Sequence, residues 1–182
     1  MAAKIVHGRY RIHRKIGSGA FSDVYSADDL QSRPNRNGGP APQVALKRLT
    51  VATQSELDGV LKEVETLRKV KHFHVVSCQD FFVYKEKLCI VMEMATGGDL
   101  HDMIHQQRRK MSVNFSETNI ASWFSQLCLG LSHIHDNKVL HRDIKAKNIL
   151  VFPSKSLPGE SSIRMLLSAM KMCSDNVCAT WP

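Results

Sequence analysis

The apolar residues of this chain change rhythm at Gly97-Gly98, and that change constrains the fold more than any other feature. Before it the pattern is strand-like. Tyr10, Ile12 and Ile16 keep an even spacing, Gly17 and Gly19 interrupt it, and Val24-Tyr25 resumes it, as side chains alternating across a half-buried strand require. The run VALKRL at 44–49 and the runs 80–84 and 88–94, around a Lys85-Glu86-Lys87 turn, read as further strands. One helix interrupts them. Leu57, Val60, Leu61, Val64 and Leu67 recur at three- and four-residue intervals behind a capping-box-like Ser55 and Asp58. Residues 31–43, QSRPNRNGGPAPQ, hold three prolines and two glycines and predict a loop. Beyond the glycine pair a long helix follows Phe115-Ser116. Ile120, Trp123, Phe124, Leu127, Leu131 and Ile134 give it a broad apolar face, bulky enough to predict burial on more than one side. The order is β-rich with one helix, then a glycine link, then helical, which predicts two lobes. After Phe152 the text turns polar, PSKSLPGESS, then apolar without period, IRMLLSAM, and ends in KMCSDNVCATWP.

A chain of 182 residues can bury a core. No apolar run reaches the roughly 18 residues that a membrane helix needs. The opening MAAKIVHGRY lacks the apolar centre of a signal peptide, so a cytoplasmic site is expected, with the nucleus or cytoskeleton as alternatives. Five cysteines, an odd and scattered set, fit reduced thiols there. The net charge of +8 invites nucleic acid. Its carriers are dispersed, however: Arg9, Arg11, Arg14 and Lys15, then Arg108, Arg109 and Lys110. No aromatic residue interleaves with the second group, and no nucleic-acid fingerprint is present. Solvated basic surface is the expectation, with no specific nucleic-acid partner and no membrane.

Three motifs stand in a telling order. Gly17-Ser18-Gly19-Ala20-Phe21-Ser22 follows a strand, and glycines let backbone N–H groups approach a phosphate. Taken alone it reads at least as well as a plain hairpin turn. Val44-Ala45-Leu46-Lys47 sets a lysine on a half-buried strand. Glu63 on the following helix fits as its anionic partner; Glu65 is the alternative, and two positions along a helix it points elsewhere. The third motif, His141-Arg142-Asp143-Ile144-Lys145-Ala146-Lys147-Asn148, is the most specific.

With these motifs in this order the chain resembles the eukaryotic serine/threonine protein kinases. From GGDLHDMI through SETNIASWFSQLCLGLSHIHDNKVLHRDIKAKNIL it is most similar to the NIMA-related kinases, and the resemblance covers residues 8–152. It implies an α+β, protein-kinase-like fold, with a complete β-rich N-lobe carrying helix αC and only the first part of the helical C-lobe. The implied divisions are a tail at 1–7, an ATP-binding N-lobe at 8–94, a hinge exit and partial C-lobe at 95–152, and an atypical tail at 153–182. The implied activity is phosphoryl transfer from ATP to serine or threonine of a protein, with ATP and Mg2+ as cofactors and a protein substrate or partner. Asp143 would orient the substrate hydroxyl, Lys145 would neutralise the transferring phosphate, Lys47 would hold the α- and β-phosphates, and Asn148 would hold magnesium. Ile16, Gly17, Ser18, Gly19 and Ala20 would cover the phosphates, and Val24 and Ala45 would wall the adenine. Met92 would be the gatekeeper, Glu93 to Ala95 the hinge, and Glu63 the αC partner of Lys47. Ser22 stands where the family has a third glycine, and Met94 where it often has an aromatic residue.

The pattern departs further on. Ser162-Ile163-Arg164-Met165-Leu166 looks like the strand that leads into the family's metal-binding Asp-Phe-Gly, yet no aspartate follows. Asp175 in Ser-Asp-Asn-Val has neither the phenylalanine nor the glycine, and Ala-Pro-Glu is absent. The expectation is a truncated product with impaired catalysis; the alternative is a non-catalytic, kinase-like regulator that binds nucleotide or a protein partner. Poor cover for the long helix would forfeit on the order of 10 kcal/mol over six large side chains. His101, His105, His133 and His135 are read as helix surface or loop scaffold, and Cys173 and Cys178 lack zinc-ribbon spacing.

Overall fold

The β-branched and aromatic runs of the first half pair into one antiparallel sheet. The computed structural model describes residues 4–19, 22–32, 39–111, 114–153 and 161–167, without the side chains of Glu63, Lys110 and Met111. The chain divides into two compact units, 1–68 with 78–94, and 69–77 with 95–182.

In the first unit, β1 (Lys4–Val6), β2 (Tyr10–Gly19), β3 (Ser22–Asp29), β4 (Gln43–Thr50), β5 (Cys78–Tyr84) and β6 (Lys87–Glu93) lie in the order β1-β2-β3-β4-β6-β5. One face is a core of Tyr10, Ala27, Val44, Leu46, Cys89 and Val91, with Ile12, Phe82 and Tyr84 packed on it. The Tyr10 and Phe82 rings stack with centroids 5.6 Å apart. The β5–β6 connection is tighter than the spacing predicted. Lys85 and Glu86 both adopt positive φ, 50° and 59°, and Lys87 pairs with Tyr84. Two left-handed residues give a turn whose twist matches the flanking strands.

Helix α1 (Gln54–Lys69) carries the expected stripe, with Val60, Val64 and Leu67 buried. Its cap is Thr53, not Ser55. Thr53 Oγ1 accepts from the Glu56 N–H at 3.2 Å, and Glu56 Oε2 accepts from the Ala52 N–H at 2.9 Å. Ser55 lies inside the first turn, where its hydroxyl comes too late to cap. The basic N-terminal cluster is not simply solvated surface. Arg9 holds Asp29 through two nitrogens, at 2.7 and 2.6 Å, and Asp80 at 3.2 Å, and Lys15 pairs with Asp23 at 2.6 Å.

The second unit holds α2 (Leu100–Met111), α3 (Glu117–Asp136) and a hairpin of β7 (Ile149–Pro153) and β8 (Ser161–Met165). Helix α2 is an element the apolar spacing did not announce; Asp99 Oδ1 caps it by accepting from the Asp102 N–H at 2.8 Å. The Ser116 hydroxyl caps α3. Ile149, Val151 and Ile163 form the core, with Leu100, Met103, Trp123 and Leu127 packed against it. Helix α3 is fastened across β8. Trp123 Nε1–H donates to Ser161 O at 3.2 Å, Gln126 Oε1 accepts from the Ile163 N–H at 2.8 Å, and a Cβ on Gly130 would come within 2.8 Å of Met165 Cε and 2.9 Å of His74 O.

The expectation that α3 is covered on more than one side is corrected. Only Gly130 and Ile134 are buried, while Ile120 and Phe124 are 51% and 66% exposed. A helix fastened to a two-stranded hairpin gains one covered face, and the described residues supply no second layer. The segment after α1 joins this unit through β8: Val75 bridges Met165, the Val76 N–H donates to Met165 O, and the Met165 N–H donates to His74 O. The apparently aperiodic IRMLLSAM therefore begins as a buried strand.

Candidate active site

The first unit gathers one set of expected residues by strand register alone. Val24 lies opposite Lys47, and Ala45 lies opposite both Ser26 and Met92. Residues directly opposite in antiparallel strands share a face, as do residues two apart on one strand. Val24, Ala45, Lys47 and Met92 thus occupy a single face, the one turned away from the Tyr10 core. Gly17 pairs with Val24 and Gly19 with Ser22 across β2 and β3, and Ala20 lies outside the described residues. Ser18 Oγ–H donates to Asp23 Oδ1 at 3.1 Å, which holds the glycine-flanked serine against β3. Ile16 is 41% exposed at the hairpin's approach. Glu93 lies opposite Val44, so its side chain leaves on the other face. That suits a hinge residue that offers backbone atoms. Ala95 begins the second unit. Glu63 is in α1, but its side chain lies outside the described residues, and its pairing with Lys47 stays an expectation.

The second unit builds the other set around Asp143. Arg142 takes a positive φ of 55°, costing about 1 kcal/mol for a residue with a Cβ, and so turns the chain sharply before the aspartate. The Asp143 N–H donates to Nδ1 of buried His141 at 3.3 Å. Burial holds His141 below the ordinary imidazole range, with the nearby Asp143 charge opposing. A neutral ring keeps Nδ1 able to accept, so the same burial fixes the loop's shape. Residues Ala146–Asn148 form a single 3-10 turn that brings Asn148 back to the aspartate. Asn148 Nδ2 donates to Asp143 O at 2.8 Å and to Asp143 Oδ2 at 2.9 Å, and Lys145 Nζ pairs with that same Oδ2 at 2.9 Å. Asp143, Lys145 and Asn148 therefore stand together.

Two neighbours escaped the sequence reading. Gly97 N–H donates to Val151 O, Val151 N–H donates to Gly98 O, and a Cβ on Gly97 would lie 2.7 Å from Val151 O. The glycine pair thus lets the chain leaving the sheet lie directly on β7, immediately after the 141–148 loop. The Leu166 N–H donates to Asn148 O at 2.8 Å. The exit of β8 is tied to the candidate metal residue, a link that only the β7–β8 register reveals. Asp99, His101 and Asp102 could together reach a cation, although Asp99 Oδ1 is engaged in capping α2.

Residues 10–158 match the family model for the protein kinase domain. The chain belongs to the protein kinase family. This kinase chain is 38% identical to the serine/threonine-protein kinase Nek5 of Homo sapiens over 143 residues, 79% of this chain and 19% of that protein. It is 38% identical to Nek3 of Mus musculus over 163 residues, 88% of this chain and 30% of that protein. It is 31% identical to Nek11 of Mus musculus over 165 residues, 90% of this chain and 25% of that protein. These are NIMA-related kinases, as the sequence led us to expect, and the kinase chain spans less than a third of each. Its fold resembles that of the crystal structure of Rad53 1-466 in complex with AMP-PNP, with a TM-score of 0.71 at 24% identity, covering 88% of this chain and 38% of that one.

Proposed function

We propose that this chain is the nucleotide-binding and catalytic-loop portion of a serine/threonine protein kinase, acting on a protein substrate in the cytoplasm. The observation that carries the reading is the Asp143 carboxylate held by the Asn148 amide and the Lys145 ammonium on one oxygen, Oδ2. Anchored there, the carboxylate keeps Oδ1 in a fixed direction for the proton of a serine or threonine hydroxyl. Lysine at position 145 adds positive charge where a transferring phosphoryl group would gather negative charge. Adenine would rest on Val24 and Ala45, with Met92 behind it and the Glu93 to Ala95 backbone at its edge. Lys47, on the same face, would take the α- and β-phosphates, and the backbone from Gly17 to Ala20 would cover them.

Among the described residues, the magnesium that such kinases use finds a poor donor set. When bound it would screen the phosphates. Here Asn148 is a neutral amide, the Asp143 carboxylate is matched by Lys145, and the strand β8 leads into Leu166 and Leu167. That apolar exit favours a second reading, a kinase-like module that binds nucleotide and transfers phosphate slowly or not at all.

Two measurements separate the readings. ATP at about 100 times its Kd should stabilise the chain by about 2.7 kcal/mol, visible as a rise in Tm that Lys47→Met abolishes. Phosphate transfer to a generic serine peptide that disappears in Asp143→Asn would support the catalytic reading. Transfer at the buffer rate, with the Tm rise intact, would leave the binding module.

A further inference from the structure

Three histidines meet within the second unit, apart from the Asp143 site. His72 and His74 lie on the segment that follows α1, and His133 lies in the last turn of α3. The rings of His72 and His133 stack with centroids 4.8 Å apart and 22° between their planes, and the His74 ring tilts against His72 at 5.6 Å. His133, expected at the helix surface, is half-buried. Stacked rings send their nitrogens along parallel directions, which suits no shared metal ion and sets two titratable groups face to face instead.

The hydrogen bonds fix where each neutral ring carries its proton. His72 Nδ1 accepts from the His74 N–H at 3.2 Å, so the His72 proton sits on Nε2. His133 Nε2 accepts from the Asn137 side-chain amide at 3.4 Å, while that amide also donates to His133 O at 2.8 Å. His74 Nδ1 faces Ile163 O at 3.2 Å, and since a carbonyl only accepts, that nitrogen donates. A further proton on His72 therefore lands on Nδ1, where it sets a donor against a donor and breaks the bond to His74. His74 is also the root of the segment's hold on β8. Its carbonyl accepts from the Met165 N–H at 2.9 Å, the Val76 N–H donates to Met165 O at 2.8 Å, and Val75 bridges Met165.

The groups around His72 do not welcome a second proton. Helix α3 presents His133, the segment presents His74, and β8 presents Arg164, whose guanidinium lies over the Phe73 ring at 4.8 Å. All three are neutral or positive, and Lys71 and Asp136 are exposed. Burial holds His72 below the ordinary imidazole range, and His133 and His74 push the same way.

We propose that His72, His74 and His133 form an acid-released clasp, which holds residues 69–77 against α3 and β8 while His72 is neutral and lets go when its Nδ1 takes a proton. Because the folded value is lowered, the clasp's contribution is fully present above the unfolded imidazole's pKa of about 6.5. It is lost as pH falls through that value towards the lower folded one.

The test is hydrogen exchange of the full chain at about pH 7.5 and about pH 5.5, each rate divided by the intrinsic rate at that pH. The amides of Val76 and Met165 should lose about fivefold in protection at the lower pH, the worth of one hydrogen bond, while those of Leu46 and Val91 keep theirs. His72→Asn separates the clasp from a general loosening in acid. Its side-chain oxygen can accept the same N–H two residues on and takes no proton, so the loss should vanish. His133→Phe keeps a stacked ring and removes a repelling charge, so the loss should begin at higher pH. His141, whose own Nδ1 accepts from the Asp143 N–H, is unchanged in both variants, so an acid step that it drives would survive in His72→Asn. Ring-nitrogen NMR of the wild type reads the same event without any substitution: His72 should titrate below the ordinary value of about 6.5, with Nδ1 gaining the proton. Unchanged protection in the wild type, equal loss in wild type and His72→Asn, or a His72 ring titrating at or above that value each overturns the proposal.

Discussion

Arg9 was expected at a solvated surface, and its environment is instead one of the most demanding in the first unit. Its guanidinium spans Asp29 and Asp80, and the Tyr10 hydroxyl donates to that same Asp80 at 3.0 Å. Asp29 is almost fully buried, and its hydrogen bonds from Arg9 hold its carboxyl well below the usual carboxylate range despite that burial. Removing the arginine leaves a buried anion without its charged partner, held only by the Ser32 hydroxyl and the Gln31 and Ser32 N–H groups. Arg9→Ala should therefore cost about 2–3 kcal/mol at neutral pH, the part-exposed arginine placing it below the full buried-pair penalty. The sign of the pH dependence follows from the depressed folded value. The ion pair's contribution is fully present above the unfolded carboxylate's pKa of about 4 and is lost as pH falls towards the folded value. Urea unfolding of wild type and variant should diverge at neutral pH and converge in acid; a constant gap would exclude the ion pair as the cause. The sequence hid this because Arg9 and Asp29 meet only through the β2–β3 register. A motif such as residues 141–148 was readable because its partners Asp143, Lys145 and Asn148 lie within one turn of chain.

At the level of elements, what could be read was local and what could not was tertiary. The Ser116 cap and the apolar period set α3 correctly. Its covered face did not follow from them, because Ile120 and Phe124 belong to the same stripe as Ile134 yet only Ile134 is buried. Helix α2 had its signal in Asp99 and in Leu100, Met103 and Ile104, but a stripe that sparse is easily passed over. Gly130 is one of the points where α3 meets β8, beside Trp123 and Gln126. Gly130→Ala gains about 1 kcal/mol of helix propensity but sets a methyl group 2.9 Å from His74 O, a backbone atom that cannot swing aside. A net destabilisation of about 1–3 kcal/mol is expected. An alanine variant as stable as wild type in thermal melts would mean that α3 can shift along the hairpin without cost.

The molecule as a whole divides its resources unevenly. The first unit has six strands joined by continuous backbone pairing around a closed core. The second rests on a two-stranded hairpin and keeps Phe73, Phe124 and Leu129 at 63%, 66% and 58% exposure. Apolar area left in water contributes nothing to stability, so the second unit should open first. Hydrogen exchange should find the amides of Leu46 and Val91 protected longer than those of α3; equal protection would mean that the two units unfold together. The glycine link lies where the second unit begins, and its two residues are irreplaceable on unrelated grounds. Position 97 has no room for a methyl group of the natural hand against Val151, whereas position 98 has open space but a φ of 73°. A mirror-image alanine prefers that left-handed twist. In a chemically synthesised chain it would therefore be welcome at the second glycine, where every encoded side chain is strained by handedness alone.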